Sequence, residues 1–280
     1  MSSLFSLIIF LITLYTSYKG FKDYQLFHKY TFNVYEILRN KDFKRLFTSG
    51  FLHVDWMHLI LNMYIFLSFS SMIESILGYA KFVLLYILSL LAGNFLSLYI
   101  HRNDDHYIAA GASGAVCGVI FSTVAMFPQF PVTLLFIHWS APSWVLGTLY
   151  FTYCIYGIKS LNDNIGHDAH LGGAFIGLLL TPLISPYPEL NNYWLIGLMA
   201  LLPLVFLGLI FVRPEWLYIK GFSFKRVEVY RNIDDLHQDK KYSEQQQLDQ
   251  ILDKISKKGL DSLTKKERKL LERISKNKPS

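Results

Sequence analysis

Residues 47–212 contain very few basic side chains, and this scarcity limits the possible folds more than any other feature. Of the 27 lysine and arginine residues, 7 lie in residues 19–46 and 17 in residues 213–280, which leaves 3 for the rest of the chain. Only 17% of all residues are charged, against about 25% in soluble domains. We therefore predict that lipid, and not water, surrounds residues 47–212.

The distribution of apolar residues predicts an all-α polytopic membrane protein. A helix that crosses a bilayer needs about 20 mostly apolar residues. Pro142 indicates that the fifth candidate segment is a loop followed by a helix that starts near Ser143. The first segment lacks the basic start and the small-residue cleavage site of a signal peptide, which favours a retained anchor. The seven candidate segments are 3–18, 57–78, 82–100, 108–127, 132–157, 168–185 and 193–212.

The flanking regions are polar and supply the net charge of +6. Residues 19–46 are rich in Phe and Tyr, which is typical of a connection that lies at the membrane interface. Residues 213–242 are predicted to be a linker, and 243–276 a short amphipathic helical hairpin with capping boxes and a stop at Gly259. The basic residues are not arranged as in nucleic-acid-binding proteins. We expect contact with water or lipid headgroups, no nucleic acid, and an unknown partner for the tail.

Three polar clusters interrupt the apolar segments, and polar groups inside a membrane usually have a function. They open the second, fourth and sixth segments. Each pair of consecutive spans returns the chain to the side that it left, so the starts of these three segments lie on one side of the membrane. The clusters are His53 with His58-x-x-x-Asn62, Gly111-Ala-Ser113-Gly114, and His167-Asp-Ala-His170-Leu-Gly-Gly173 with Gly177.

The residue types in these clusters predict nucleophilic catalysis. A serine hydroxyl such as that of Ser113 becomes a nucleophile when a base such as His170 removes its proton. His58 and Asn62 project from one helix face and can stabilise an oxyanion. Small residues allow helices to approach closely, which is the role we assign to Gly111, Gly114, Gly173 and Gly177.

Each cluster taken alone has a simpler explanation. The glycines and Ser113 are compatible with helix packing, His170 with a satisfied interior histidine, and His58 with an interhelical hydrogen bond. His167, Asp168 and His170 also resemble part of a metal site, but no further ligands stand at suitable spacing, so we expect neither metal nor cofactor. The coincidence of three clusters at the same end of alternate spans favours catalysis.

These motifs together resemble those of the rhomboid family of intramembrane serine proteases. Gly111-Ala-Ser113-Gly114 is similar to the nucleophile motif, Ala169-His170-x-x-Gly173-x-x-x-Gly177 to the last core helix, and His58-x-x-x-Asn62 to the oxyanion motif. The resemblance implies a six-helix core, a Ser–His dyad without a third acid, and transmembrane proteins as substrates. It also implies a bacterial-type member in a bacterial cell membrane.

The sequence departs from the family pattern at several positions. Cys117 replaces an aromatic residue that often stacks on the catalytic histidine, and Ile76 replaces an arginine near the structural glutamate, here Glu74. The usual Trp-Arg pair of the embedded loop is reduced to Arg45, with Phe43 nearby. Asp168 stands two residues before His170 and projects to another helix face, so we interpret it as a loop or cap residue.

We predict a protease core over residues 1–190 with an embedded loop over about 19–56, an additional span over 191–212, and a basic tail over 213–280. Two questions stay open at this stage. The first is orientation: the resemblance places the active face outside, whereas the basic residues of 19–46 favour a cytoplasmic position for the same face. The second is the number of spans, since the first or the seventh segment need not cross the membrane. The alternative function is a catalytically inactive relative that binds and escorts membrane proteins.

Overall fold

The computed structural model describes residues 3–133, 140–160, 163, 165–187 and 192–213, with residues 251, 255 and 264 of the tail. The chain divides into two compact units, Met1–Arg226 and Val227–Ser280. All helices and strands described below belong to the first unit. The predicted hairpin at 243–276 lies outside the described residues, apart from those three isolated positions.

The first unit is a helical bundle in which helices of various lengths follow one another along the chain. Four of the described helices, α1, α5, α6 and α10, are long and apolar enough to cross a membrane. In chain order the helices are α1 (Leu4–Lys22), α2 (Tyr24–Tyr30), α3 (Val34–Leu38), α4 (Arg45–Thr48), α5 (Trp56–Leu77), α6 (Tyr79–His101), α7 (Ser113–Met126), α8 (Ser143–Ser160), α9 (His167–Ile184) and α10 (Tyr193–Val212).

Two short antiparallel strand pairs fix the connections between helices. The strands are β1 (Phe32–Asn33), β2 (Ile108–Ala109), β3 (Pro131–Thr133) and β4 (Ser140–Pro142). β1 pairs with β2, and β3 pairs with β4. The first pair joins the loop after α1 to the segment that leads into α7.

All seven predicted apolar segments contain a helix, and two of those helices, α7 and α8, start well after the segment begins. The fourth segment was predicted from residue 108, but Ile108–Ala109 form β2, and α7 begins only at Ser113. The fifth helix starts at Ser143, directly after Pro142, as the sequence predicts. Proline disfavours helical backbone in the residue before it, which explains the late start.

The helix α7 lies in the middle of the bundle and is buried along almost its whole length. It packs most extensively against α9, and also against α5 and α6. Its buried side chains contribute to two apolar clusters, one shared with α5 and α6 and the other with α8, α9 and α10. The residues at its start are therefore surrounded by several helices.

Buried polar contacts attach α1 and the following loop to the bundle. The Glu74 carboxylate accepts hydrogen bonds from the backbone N–H groups of Phe5 and Ser6, at 2.9 and 2.8 Å, and from the Ser6 hydroxyl at 2.6 Å. Arg45 is buried and donates to the Asp42 carboxylate at 3.0 Å, whereas Phe43 is exposed. Glu74, which the sequence analysis singled out as a structural glutamate, thus caps the start of α1.

Candidate active site

Ser113 is the first residue of α7, and the backbone before it is held by the segment between α1 and α5. β2 pairs with β1, and the Gly111 N–H donates to the carbonyl oxygen of Ser49 at 3.1 Å. Gly111 has a φ of 153°, a conformation that side-chain-bearing residues rarely adopt. These backbone contacts therefore fix the position of the first residue of α7, and with it the position of the Ser113 side chain.

His170 lies in the first turn of α9, which touches α7 backbone to backbone. A Cβ added to Gly173 would overlap the carbonyl oxygen of Gly114, and one added to Gly177 would overlap that of Gly118. A Cβ on Gly114 would lie 3.1 Å from the carbonyl oxygen of Ala169, the residue before the histidine. The glycines thus bring the starts of the two helices together.

No hydrogen bond joins Ser113 Oγ to His170 among the described residues. The side-chain partner of His170 is the Tyr150 hydroxyl, 3.1 Å from Nδ1. Both Ser113 and His170 are partly accessible. Hydrogen bonds between catalytic groups are often long without substrate and shorten when it binds.

His58 stands beside the serine. Its Nε2 and Ser113 Oγ lie 3.2 and 3.7 Å from the point where a Cβ on Gly111 would be. Asn62, one turn later on α5, is buried and donates from Nδ2 to the carbonyl oxygen of His58 at 3.0 Å. This amide keeps a second N–H. The structure therefore brings His58 next to Ser113, and it shows Asn62 bonded within its own helix.

His53 is fully buried and lies between α1 and the residue that precedes the serine. Its Nδ1 is 3.0 Å from the Ser17 hydroxyl, and its Nε2 accepts a long, 3.5 Å hydrogen bond from the Ala112 N–H. Burial, followed by the nearby charge of His58, lowers the pKa of His53 from 6.5 to about 3. The ring is neutral at pH 7, so that one nitrogen donates and the other accepts.

Tyr150 is the residue that sequence reasoning missed. It lies on α8, and its hydroxyl is 3.1 Å from both His170 Nδ1 and Cys117 Sγ. Its ring is nearly parallel to that of His170, at 21° with centroids 6.4 Å apart. The sequence signal was Cys117, which stands where the family often has an aromatic residue against the catalytic histidine, so that an aromatic side chain from another helix could be sought there.

Asp168 has a different partner from His170. It is buried in the first turn of α9, whose N-terminal cap is Gly166, so it lies inside the helix and not in a loop. One carboxylate oxygen is 2.8 Å from His101 Nε2 at the end of α6, and the other accepts from the Ala169 N–H at 2.9 Å. His101 in turn stacks on Tyr107. This arrangement attaches the start of α9 to α6.

His167, the first residue of α9, is a further titratable side chain in this region. Its Nε2 lies 3.0 Å from the Asp163 carboxylate. Within the described parts of the chain, no three His, Cys, Asp or Glu side chains are grouped in a way that could hold a metal ion.

A family model described as the Rhomboid domain matches residues 40–187, which is more than half of the chain and includes every candidate site residue. This chain belongs to the rhomboid family. It is therefore an integral membrane protein with the all-α polytopic fold of that family, as the sequence predicts. A second model, described only as a family of unknown function, matches residues 231–277 of the tail.

Curated relatives include rhomboid proteins of organelles. The chain is 30% identical to Rhomboid protein 1, mitochondrial, of Saccharomyces cerevisiae over 50% of its own length and 42% of the relative. It is 26% identical to Rhomboid-like protein 11, chloroplastic, of Arabidopsis thaliana over 66% and 65%, respectively. With the mouse Presenilin-associated rhomboid-like protein, mitochondrial, the identity is 30% over 46% and 35%. The chain thus spans less than two thirds of each of these relatives.

Proposed function

We propose that this rhomboid-family protein is a serine endopeptidase that hydrolyses peptide bonds in or near transmembrane segments of other membrane proteins. The observation that carries the proposal is the backbone contact between α7 and α9, which sets Ser113 and His170 at neighbouring helix starts with His58 beside the serine. A serine, a base and a donor for an oxyanion are the elements that acyl transfer needs.

In the first chemical step, His170 Nε2 takes the proton of the Ser113 hydroxyl while Oγ attacks the carbonyl carbon of the scissile bond. The carbonyl oxygen becomes an oxyanion. His58 and the N–H groups of the first turn of α7 can donate to it, since the first N–H groups of a helix have no intrahelical acceptor. The second N–H of Asn62 is a further donor.

Collapse of this tetrahedral intermediate breaks the C–N bond, and His170 gives its proton to the leaving amine. The acyl group remains on Ser113 Oγ. In the second half, His170 takes a proton from water, the resulting hydroxide attacks the ester, and Oγ leaves with the proton from His170. The products are a free amine and a carboxylic acid, which releases its proton to water at neutral pH, and the dyad returns to its starting protonation.

The dimensions of α7 support a site below the membrane surface. Its 14 residues span about 21 Å, at 1.5 Å per residue, whereas the hydrocarbon core is about 30 Å thick. If Met126 lies at one boundary of the core, Ser113 lies inside it at the other end. A substrate helix must unwind locally there, because its carbonyl groups are otherwise bonded within the helix.

The partners that this proposal implies are transmembrane protein substrates and lipid. The relatives named above are mitochondrial or chloroplastic, and a bacterial cell membrane stays our prediction for this chain. The alternative function is an inactive relative that binds and escorts membrane proteins. The presence of both Ser113 and His170 favours the protease.

The experiment is cleavage of a model transmembrane substrate by purified protein in detergent. Ser113→Ala and His170→Ala should each abolish cleavage, because the nucleophile or the base is lost. His58→Ala should reduce kcat by roughly 10² to 10³, the usual effect of removing one oxyanion donor. Ser122→Ala is the matched control on the same helix, since Ser122 is buried and its hydroxyl has no partner among the described residues.

The control should cleave at the wild-type rate. Full activity of Ser113→Ala would end the proposal. Wild-type protein that binds the substrate without cleaving it would support the escort function instead.

A further inference from the structure

Tyr150 is the only side chain that the described residues show hydrogen-bonded to the imidazole of His170. It approaches from α8, whereas the serine and the histidine lie on α7 and α9. The same hydroxyl contacts Cys117 Sγ at 3.1 Å, one helical turn after Ser113. A line of polar groups therefore runs from α9 through α8 to α7.

The state of the imidazole decides whether His170 can act as a base. A neutral histidine has one N–H and one nitrogen that accepts. To take the serine proton at Nε2, His170 must carry its own proton on Nδ1. The partner of Nδ1 determines which of the two forms is stable.

The Tyr150 hydroxyl can stabilise the required form. Its oxygen accepts from His170 Nδ1–H, and its own O–H then points to Cys117 Sγ, a weak acceptor. The reverse assignment, with Tyr150 donating to Nδ1, would place the proton on Nε2 and prevent it from accepting the serine proton. Cys117 Sγ, 3.1 Å from the hydroxyl oxygen, lies within reach as the acceptor that the tyrosine proton needs in the first assignment, and the NMR experiment below distinguishes the two assignments.

We propose that Tyr150 is a positioning residue that holds His170 with its proton on Nδ1 and its ring parallel to that of the tyrosine. This inference rests on the proposed protease function. Tyr150 contacts neither Ser113 nor the reacting atoms, and it acts through His170. It takes the place, from another helix, of the aromatic residue that the sequence lacks at position 117.

The first test compares Tyr150→Phe with wild-type protein in the cleavage assay. The phenylalanine keeps the ring against His170 and removes only the hydroxyl. We expect kcat to fall about tenfold, as is typical for the loss of one neutral hydrogen bond, with KM unchanged within twofold. Tyr156→Phe is the matched control, because Tyr156 is an exposed residue of the same helix.

A second test does not depend on cleavage. Ser113→Ala protein labelled with ¹⁵N-histidine is studied by NMR in detergent, and the His170 signals are assigned by comparison with the Ser113→Ala/His170→Ala protein. We expect the proton on Nδ1, and a shift of the population toward Nε2–H when Tyr150→Phe is added. A proton on Nε2 in the labelled Ser113→Ala protein would overturn the inference.

The results separate the two proposals. Wild-type cleavage that is lost in Ser113→Ala but unchanged in Tyr150→Phe would refute the role of Tyr150 and leave the protease in place. Absence of cleavage in every protein, with the expected NMR result, would refute the protease and leave the hydrogen bond as a structural contact.

Discussion

At the scale of single residues, His53 links folding to pH. Its pKa is lowered to about 3 by burial and by the nearby charge of His58, against an ordinary value of 6.5. Between these two values the unfolded chain binds a proton that the folded protein does not, so stability is complete above pH 6.5 and declines as pH falls toward 3. At pH 5 this single group should cost about 2 kcal/mol of unfolding free energy.

The measurement is the change in melting temperature between pH 7 and pH 5 in detergent, for wild type and for His53→Gln. Both proteins contain other histidines, so only the difference between the two pH responses reports His53. We expect the variant to be less stable at pH 7, because the contacts with Ser17 and Ala112 change, and to lose less stability on acidification. Equal pH responses would show that His53 does not titrate in this way.

The sequence was sufficient to single out the candidate dyad as a prediction and insufficient for the residues around it. Ser113, His170 and His58 stand out because polar groups are rare in apolar segments. Tyr150 is one of 18 tyrosines, and its own sequence neighbours do not distinguish it; Cys117, on another helix, gives only an indirect signal. The partner of Asp168, His101, was likewise invisible, because the contact depends on how α6 and α9 are packed.

At the scale of helices, the close approach of α7 and α9 depends on glycine. We predict that Gly173→Ala destabilises the protein, because the added methyl group meets the carbonyl oxygen of Gly114. The expected loss of unfolding free energy is about 1–3 kcal/mol, the usual cost of overpacking. Backbone cannot rotate aside as a side chain can. Separation of the helices should also abolish cleavage, since it moves Ser113 away from His170.

The control is Gly197→Ala on α10, where an added Cβ meets nothing within 4 Å. It should be neutral or slightly stabilising, because alanine is favoured over glycine in a helix. Chemical unfolding in detergent and the cleavage assay measure both variants. A Gly173→Ala protein with wild-type stability and activity would contradict the packing described here.

Helix boundaries show where sequence periodicity fails. Gly111 and Ser113 stand between β2 and α7 in the run 108–127, but Ile108 and Ala109 before them are apolar and are compatible with either a helix or a strand. Only pairing with β1, which is distant in sequence, makes them a strand. The start of α8 was predictable, because Pro142 acts on its immediate neighbours.

At the scale of the whole molecule, α1 is held to the bundle near both ends. Glu74 accepts three hydrogen bonds from the first turn of α1, and Ser17, near the other end of α1, contacts His53 beside the candidate site.

We predict that Glu74→Gln lowers stability by about 1–3 kcal/mol, because one oxygen is replaced by an amide that turns N–H groups toward N–H donors. The exposed pair of Glu36 with Asn40 makes Glu36→Gln a suitable control with little effect. The contact between Ser17 and His53 is unchanged in Glu74→Gln. At an assay temperature well below the melting temperature of this variant, its kcat should therefore equal that of the wild type. A large loss of kcat in a folded Glu74→Gln protein would mean that the two attachments of α1 act as one unit.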